Sequence, residues 1–149
     1  MTPYLLDTNH CSLILKGDPR AVQWLHQHGE TGVAISVTIC GELFFMAHKS
    51  EQRAQNLRHI AHFLSLVTIY MLDTQVAEWY GTLKAALLER FGPRDKSRRR
   101  RARIETIGIT ENDLWIAATA QRYGCILVTS DRDFERIVEV TPLRLECWS

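Results

Sequence analysis

The sequence predicts an α/β fold of three layers, with a mainly parallel sheet covered by helices on both faces. Short apolar runs, too brief for helices, alternate along the chain with longer stretches whose apolar residues recur at helical spacing. Acids or cap-type residues directly follow several of the short runs, as at turns from strand to helix. No internal repeat or dividing linker interrupts the 149 residues, so one domain over 1–149 is expected, with a basic insert at about 92–109.

Pro3 to Leu6 reads as the first strand, stopping at Asp7. Asp7, Thr8 and Asn9 supply caps for a short helix over Cys11 to Leu15, ended by Gly17-Asp18-Pro19. A second helix runs from about Arg20 to His28, and Val33 to Val37 is the second strand. Thr38 opens a helix through Ile39, Leu43, Met46 and Ala47. The next helix spans about 51–65, with Leu57, Ile60, Ala61 and Leu64 on one stripe. Leu66 to Leu72 is a third strand, followed by a long helix from about Thr74 to Phe91 that Gly92-Pro93 breaks. After the insert, Thr110 caps a helix from Glu111 to about Tyr123. Ile126 to Thr129 is a β-branched strand, Asp133 to Val138 one or two helical turns, and Leu143 to Glu146 a last strand.

Apolar residues make up 46% and charged residues 23%, an ordinary globular composition that argues against disorder. No apolar run approaches the ~20 residues of a membrane span, and the start Met1-Thr2-Pro3-Tyr4 lacks the basic region of a signal peptide. Cys11, Cys40, Cys125 and Cys147 lie far apart without zinc-site spacing, so reduced, mostly packed thiols of a cytoplasmic protein are expected. The six histidines show no metal spacing tied to the acids and read as surface or packing residues. Trp24, Trp79 and Trp115 fall on apolar faces, suited to core or dimer interface. The net charge of +1 hides a division. Residues 94–103 hold seven basic groups against one acid, a local +6, which leaves 11 basic and 16 acidic groups, a net −5, on the other 139. Such a concentrated basic segment suits a polyanion or an acidic protein partner.

The acids fall at telling places. Asp7 and Asp131 directly follow strands, where open α/β sheets bind ligands. Glu42 sits among Ile39, Cys40, Leu43, Phe44, Phe45 and Met46, company in which an ionised carboxylate is costly unless paired or bound to metal. Asp113 stands in the first turn of an otherwise largely apolar helix. Singly, each has an ordinary reading: Asp7 as a cap, Asp113 as an acid favoured by the helix dipole, Glu42 on a solvent face, Asp131 and Asp133 as turn residues. Together they repel one another unless a divalent cation neutralises them, and carboxylates suit Mg²⁺ or Mn²⁺.

Leu5-Leu6-Asp7-Thr8-Asn9 resembles the opening of PIN domains, in which the aspartate after the first strand binds metal. Ile35-Ser36-Val37-Thr38-Ile39-Cys40-Gly41-Glu42-Leu43 is similar to the family segment that carries its glutamate. Asn112-Asp113-Leu114-Trp115-Ile116-Ala117-Ala118 resembles the helix of VapC-type toxins and is the most specific match. Val128-Thr129-Ser130-Asp131-Arg132-Asp133-Phe134 resembles the closing motif, in which either Asp131 or Asp133 can be the fourth acid; Asp131 lies nearer the strand. Gly41 stands where such toxins often carry alanine, consistent with close helix packing. The arginine-rich insert is not part of the resemblance.

The resemblance implies a Mg²⁺-dependent endoribonuclease, the toxin of a toxin–antitoxin pair, commonly a homodimer. Asp7 and Asp113 would be the main metal ligands, with Glu42 and Asp131 completing the acidic ring directly or through water, and one or two metals left open. Thr8, Asn9 and Ser130 would orient the carboxylates, unless they are ordinary caps. An acidic site cannot attract RNA by itself, so Arg98, Arg99, Arg100, Arg101 and Arg103 are the candidates to hold the backbone, the alternative being an acidic antitoxin. The rival readings are a PIN-like binding module without catalysis, against which all four acids stand, and a haloacid-dehalogenase-type enzyme, against which Asn9 stands in place of its second aspartate. Changing Asp7 or Asp113 to Asn is expected to abolish cleavage and leave the fold intact or slightly more stable.

Overall fold

Five short strands, β1 (Tyr4–Leu6), β2 (Val33–Ser36), β3 (Thr68–Tyr70), β4 (Ile126–Val128) and β5 (Leu145–Glu146), form an all-parallel sheet in the order β3-β2-β1-β4-β5. The computed structural model describes residues 2–29 and 32–148. Every residue of β2 and β4 is buried, as are Leu5 and Leu6 of β1, so these strands are covered on both faces. That burial is why their sequences read as apolar runs without alternation. From β1 the chain steps outward to β2 and β3, and later returns to place β4 on the other side of β1. The strand order therefore reverses at β1 and β4, and ligands of open parallel sheets bind beyond the carboxyl ends at such a reversal. β3 lies at an edge with Thr68 and Ile69 exposed, and it is shorter than the expected Leu66 to Leu72.

The described residues group into two compact units. The first contains residues up to Met71, Cys125–Ser130 and the segment from Leu145, hence the whole sheet. It also contains α1 (Thr8–Leu15), α2 (Pro19–His28), α3 (Val37–His48) and α4 (Arg53–Leu64). The second contains Leu72–Gly124 and Asp131–Arg144. It is helical: α5 (Thr74–Phe91), α6 (Lys96–Arg101), a 3₁₀ turn at Ile104–Ile107, α7 (Glu111–Tyr123) and α8 (Asp133–Val138). The expected α/β class, a parallel sheet with flanking helices, is the one the chain adopts. Among the described residues no helix is long and apolar enough to cross a membrane.

Helix starts follow their caps. Asp7, Asp18, Ser36, Asp73, Asp95 and Thr110 each accept a backbone N–H from the first turn of the helix they precede, which satisfies one donor the helix leaves orphaned. Two expected faces are corrected. In α3, Ile39, Leu43 and Ala47 are buried, but Met46 is exposed along with Phe44 and Phe45. In α4 the buried residues are Ile60 and Phe63, while Ala61 faces out.

In the second unit, Asp73 at the start of α5 pairs with Arg122 at the end of α7 at 3.0 Å. Tyr80 and Lys84 further along α5 bond Glu111 at the start of α7. The two helices thus run in opposite directions, and Tyr80 stacks on Trp115 between them, with ring centroids 4.0 Å apart. The basic insert is not irregular. Asp95 caps the short helix α6, whose Arg98, Arg100 and Arg101 are exposed and Arg99 half-buried, and the fully buried Ile104 and Ile109 anchor the chain beyond it.

Candidate active site

Asp7 lies one residue past β1, and its N–H continues the β1–β4 ladder to the carbonyl of Val128. It caps α1 and is buried, so the cap and the site readings coincide in one residue. Its Oδ1 accepts the His10 N–H at 2.8 Å and meets His10 Nδ1 at 2.8 Å. Its Oδ2 accepts the hydroxyl of Thr129, the residue just past β4, at 2.7 Å. A carboxylate has about four acceptor positions, so one on Oδ2 is left for a further partner.

The next residue, Thr8, donates its hydroxyl to Glu42 Oε2. This ties α1 to α3 and links the Asp7 corner to Glu42 through adjacent residues. Glu42 is half-buried and borders an open hollow of about 520 Å³ with Thr38, Phe45 and Lys49. Its apolar neighbours Phe44, Phe45 and Met46 are exposed, so Glu42 is not enclosed as its sequence context suggested. Gly41 is corrected too. A Cβ there would meet nothing within 4 Å, so this glycine is not required by helix packing.

In the second unit, Asp113, Asp131 and Asp133 offer carboxylate oxygens all within 4.8 Å of one another. Asp113 sits in the first turn of α7, beside its cap Thr110, with Thr110 Oγ1 accepting the Asp113 N–H at 3.0 Å. Burial pushes the Asp113 carboxyl above the usual carboxylate range; the charges of Asp131 and Asp133 push the same way, and bonds from Thr110 oppose them. Asp131 Oδ1 accepts the Asp133 N–H at 2.9 Å, which closes the turn into α8. Asp133 also pairs with Arg136 at 3.0 Å. The alternative acids of the closing motif thus lie in one cluster, and one of them carries a built-in counter-charge. Carboxylates crowded in this way are the hard oxygen donors that a divalent cation takes.

A model of the PIN domain matches residues 4–140. The chain belongs to the PIN-domain family. It is 32% identical over 149 residues to ribonuclease VapC2 of Haemophilus influenzae, with 99% of each chain covered. It is 30% identical over 150 residues to a tRNA(fMet)-specific endonuclease VapC of Shigella flexneri, with 100% of each chain covered. Among solved structures it resembles VapBC2 of Rickettsia felis bound to a promoter DNA fragment. There the TM-score is 0.80 at 27% identity, covering 99% of this chain and 100% of that one. This PIN domain is therefore of the VapC ribonuclease type.

Sequence reasoning missed two residues of this PIN domain's Asp7 corner. His10, read as surface or packing, is fully buried against Asp7. Thr129 was read as the end of a strand, yet its hydroxyl holds Asp7. A signal for His10 was present: it is the third residue after a capping aspartate, where cap bonds land. Of the other expected orienting residues, Thr8 bonds Glu42, while Asn9 and Ser130 are exposed. Cys11, Cys40 and Cys125 are buried free thiols; burial pushes all three up, Cys125 to about 11, so they stay protonated packing groups. Cys147 is exposed and forms no disulfide. Trp24, Trp79 and Trp115 are half-buried rather than core, and Trp148 is the tryptophan that is fully buried.

Proposed function

We propose that this PIN domain, with the whole chain acting as one domain, is the toxin endoribonuclease of a toxin–antitoxin pair. In this reading it hydrolyses RNA phosphodiester bonds with Mg²⁺ or Mn²⁺, using Asp7, Glu42, Asp113 and Asp131. The supporting observation is the crowding of Asp113, Asp131 and Asp133, which adds to burial in holding Asp113 less acidic than usual. A bound divalent cation supplies a more acidic water and offsets charge that builds on the phosphoryl oxygens. Asp131 is preferred to Asp133 because it lies nearer the end of β4.

The chain's own residues do the positioning. His10 and Thr129 hold Asp7 from its two sides, and the Thr8 hydroxyl holds Glu42. Arg98, Arg99, Arg100, Arg101 and Arg103 then hold the RNA backbone, because acids alone repel it. Four of these are exposed and Arg99 is half-buried. Arg98 to Arg101 share the short helix α6, and Arg103 follows just beyond its end.

A cognate antitoxin is the protein partner, placing an arginine against the acids in place of the cation's charge. The exposed Phe44, Phe45 and Met46 fit a protein contact of this kind. Homodimerisation through apolar helical surface is expected, and the site of action is the cytoplasm. The test is incubation of the metal-free protein with bulk RNA and with tRNA(fMet), adding Mg²⁺ or EDTA. Cleavage that appears with Mg²⁺, disappears with EDTA and is absent in Asp113→Asn supports the reading. Equal cleavage with EDTA removes the metal centre, and no cleavage of any RNA returns the chain to a binding role.

A further inference from the structure

His10 is fully buried and bonded on both sides of its ring. On one side Nδ1 meets Asp7 Oδ1 at 2.8 Å. On the other the backbone N–H of Trp148 points at Nε2, at 3.2 Å. A backbone N–H can only donate, so Nε2 must present its lone pair. A neutral imidazole then carries its single proton on Nδ1, which donates to Asp7. Cys147, beside the same ring, can take either role and does not alter this constraint.

The Trp148 amide is itself fixed. Its side chain is fully buried, stacked with Trp24 at 5.7 Å between centroids and tilted against Tyr4 at 5.4 Å. Just before it, β5 pairs with β4, and the Thr129 N–H extends that pairing to the Glu146 carbonyl at 2.8 Å. Thr129 is also the residue that holds Asp7 Oδ2. Both oxygens of Asp7 are therefore restrained from the β4–β5 edge, one directly and one through the His10 ring.

We propose that His10 is a positioning residue: the Trp148 amide selects its Nδ1–H form, and that form fixes the Asp7 carboxylate in the orientation the cation needs. This rests on the reading of Asp7 as a metal ligand. Residues that hold a metal's ligands typically contribute about 10–100-fold in metal affinity or activity.

The test has two parts. First, ¹⁵N NMR at neutral to mildly alkaline pH reads the tautomer directly in the unaltered protein. Protonated Nδ1 with a bare Nε2 is expected for His10, and protonated Nε2 overturns the proposal. Second, Mn²⁺ binding is titrated, without RNA, on the parent, His10→Phe, His10→Asn and Asp7→Asn proteins. His10→Phe keeps a ring but no donor, and should bind about 10–100-fold more weakly. His10→Asn places an amide near the Nδ1 position and should recover most of that loss, which a purely structural role would not produce. Parent-like Mn²⁺ binding by His10→Phe, with binding lost in Asp7→Asn, overturns the role of His10 and leaves the metal centre standing. Parent-like binding by Asp7→Asn removes both. Should His10→Phe not fold, the tautomer and the Asn variant decide.

Discussion

Asp7 and Asp113 each stand at the start of a helix in a PIN-domain motif, and their surroundings are opposites. Asp7 is buried among donors: a backbone N–H, an imidazole and a hydroxyl converge on it. Asp113 meets two further carboxylates, with its helix cap beside it. The first acid is held in place by the protein's own donors; the second is crowded by like charge. Two residues with the same proposed task can therefore answer the same substitution in opposite ways, because stability and activity draw on different parts of the surroundings.

The largest effect falls on activity and is the same at both places. Asp7→Asn and Asp113→Asn should each lower RNA cleavage by roughly 10²-fold or more, the scale of losing a main charge-stabilising group. Near-normal Mg²⁺-dependent turnover in either variant removes that residue from the site.

The basic helix α6 forms a second contrast, cations crowded where Asp113 shows anions crowded. Replacing Arg98, Arg99, Arg100, Arg101 and Arg103 by Ser should weaken RNA binding and flatten log affinity against log salt by roughly 2 to 3, about three phosphate contacts. Cleavage at saturating RNA should change much less. If α6 serves the antitoxin, the salt slope stays put and the stability of the toxin–antitoxin complex falls instead.

Stability separates the two acids. Asp7→Ala removes a cap and strands buried donors, and should cost about 2 kcal/mol by urea unfolding. Asp7→Asn keeps an acceptor for the cap but loses charge-assisted bonds, so a smaller loss is expected. That revises the expectation from sequence that both Asn variants would be neutral or stabilised. Metal-free Asp113→Asn should instead gain on the order of 1 kcal/mol, roughly 2–4 °C in melting temperature. A loss in that variant would mean that the three carboxylates do not repel in solution.

The smallest effect is the pH dependence of that gain. The carboxyl of Asp113 is held above its ordinary value of 3.8, so its ionisation opposes folding. The penalty is present above the folded-state pKa, fades as pH falls through it, and is gone below about 3.8. The advantage of Asp113→Asn should therefore shrink steadily on acidification from neutral pH. A gain that grows toward acid would reverse the assignment.

What the sequence made legible follows the range of the interactions. The helix Thr74–Phe91 was readable because a cap, a helical period and Gly92-Pro93 all lie within it or beside it. Glu111–Tyr123 was readable for the same reasons, with Thr110 before it and Gly124, in the left-handed region at φ 65°, after it. The helix in the insert was not, since a run of arginines has no apolar period, although Asp95 marks its start. The donors around Asp7 were hidden by distance along the chain. Thr129 lies 122 residues from Asp7, and Trp148 lies 138 from His10, so no local pattern could pair them.

The same separation sets a clock. Tyr4 pairs with Ile126 across the middle of the sheet, whereas Glu111 reaches Lys84 across only 27 residues. Loop closure makes the long pairing the slow step. A chain refolding from denaturant should regain helical signal early and the Asp7 corner late. RNA cleavage is therefore expected to return with the Asp7 corner rather than with the helical signal.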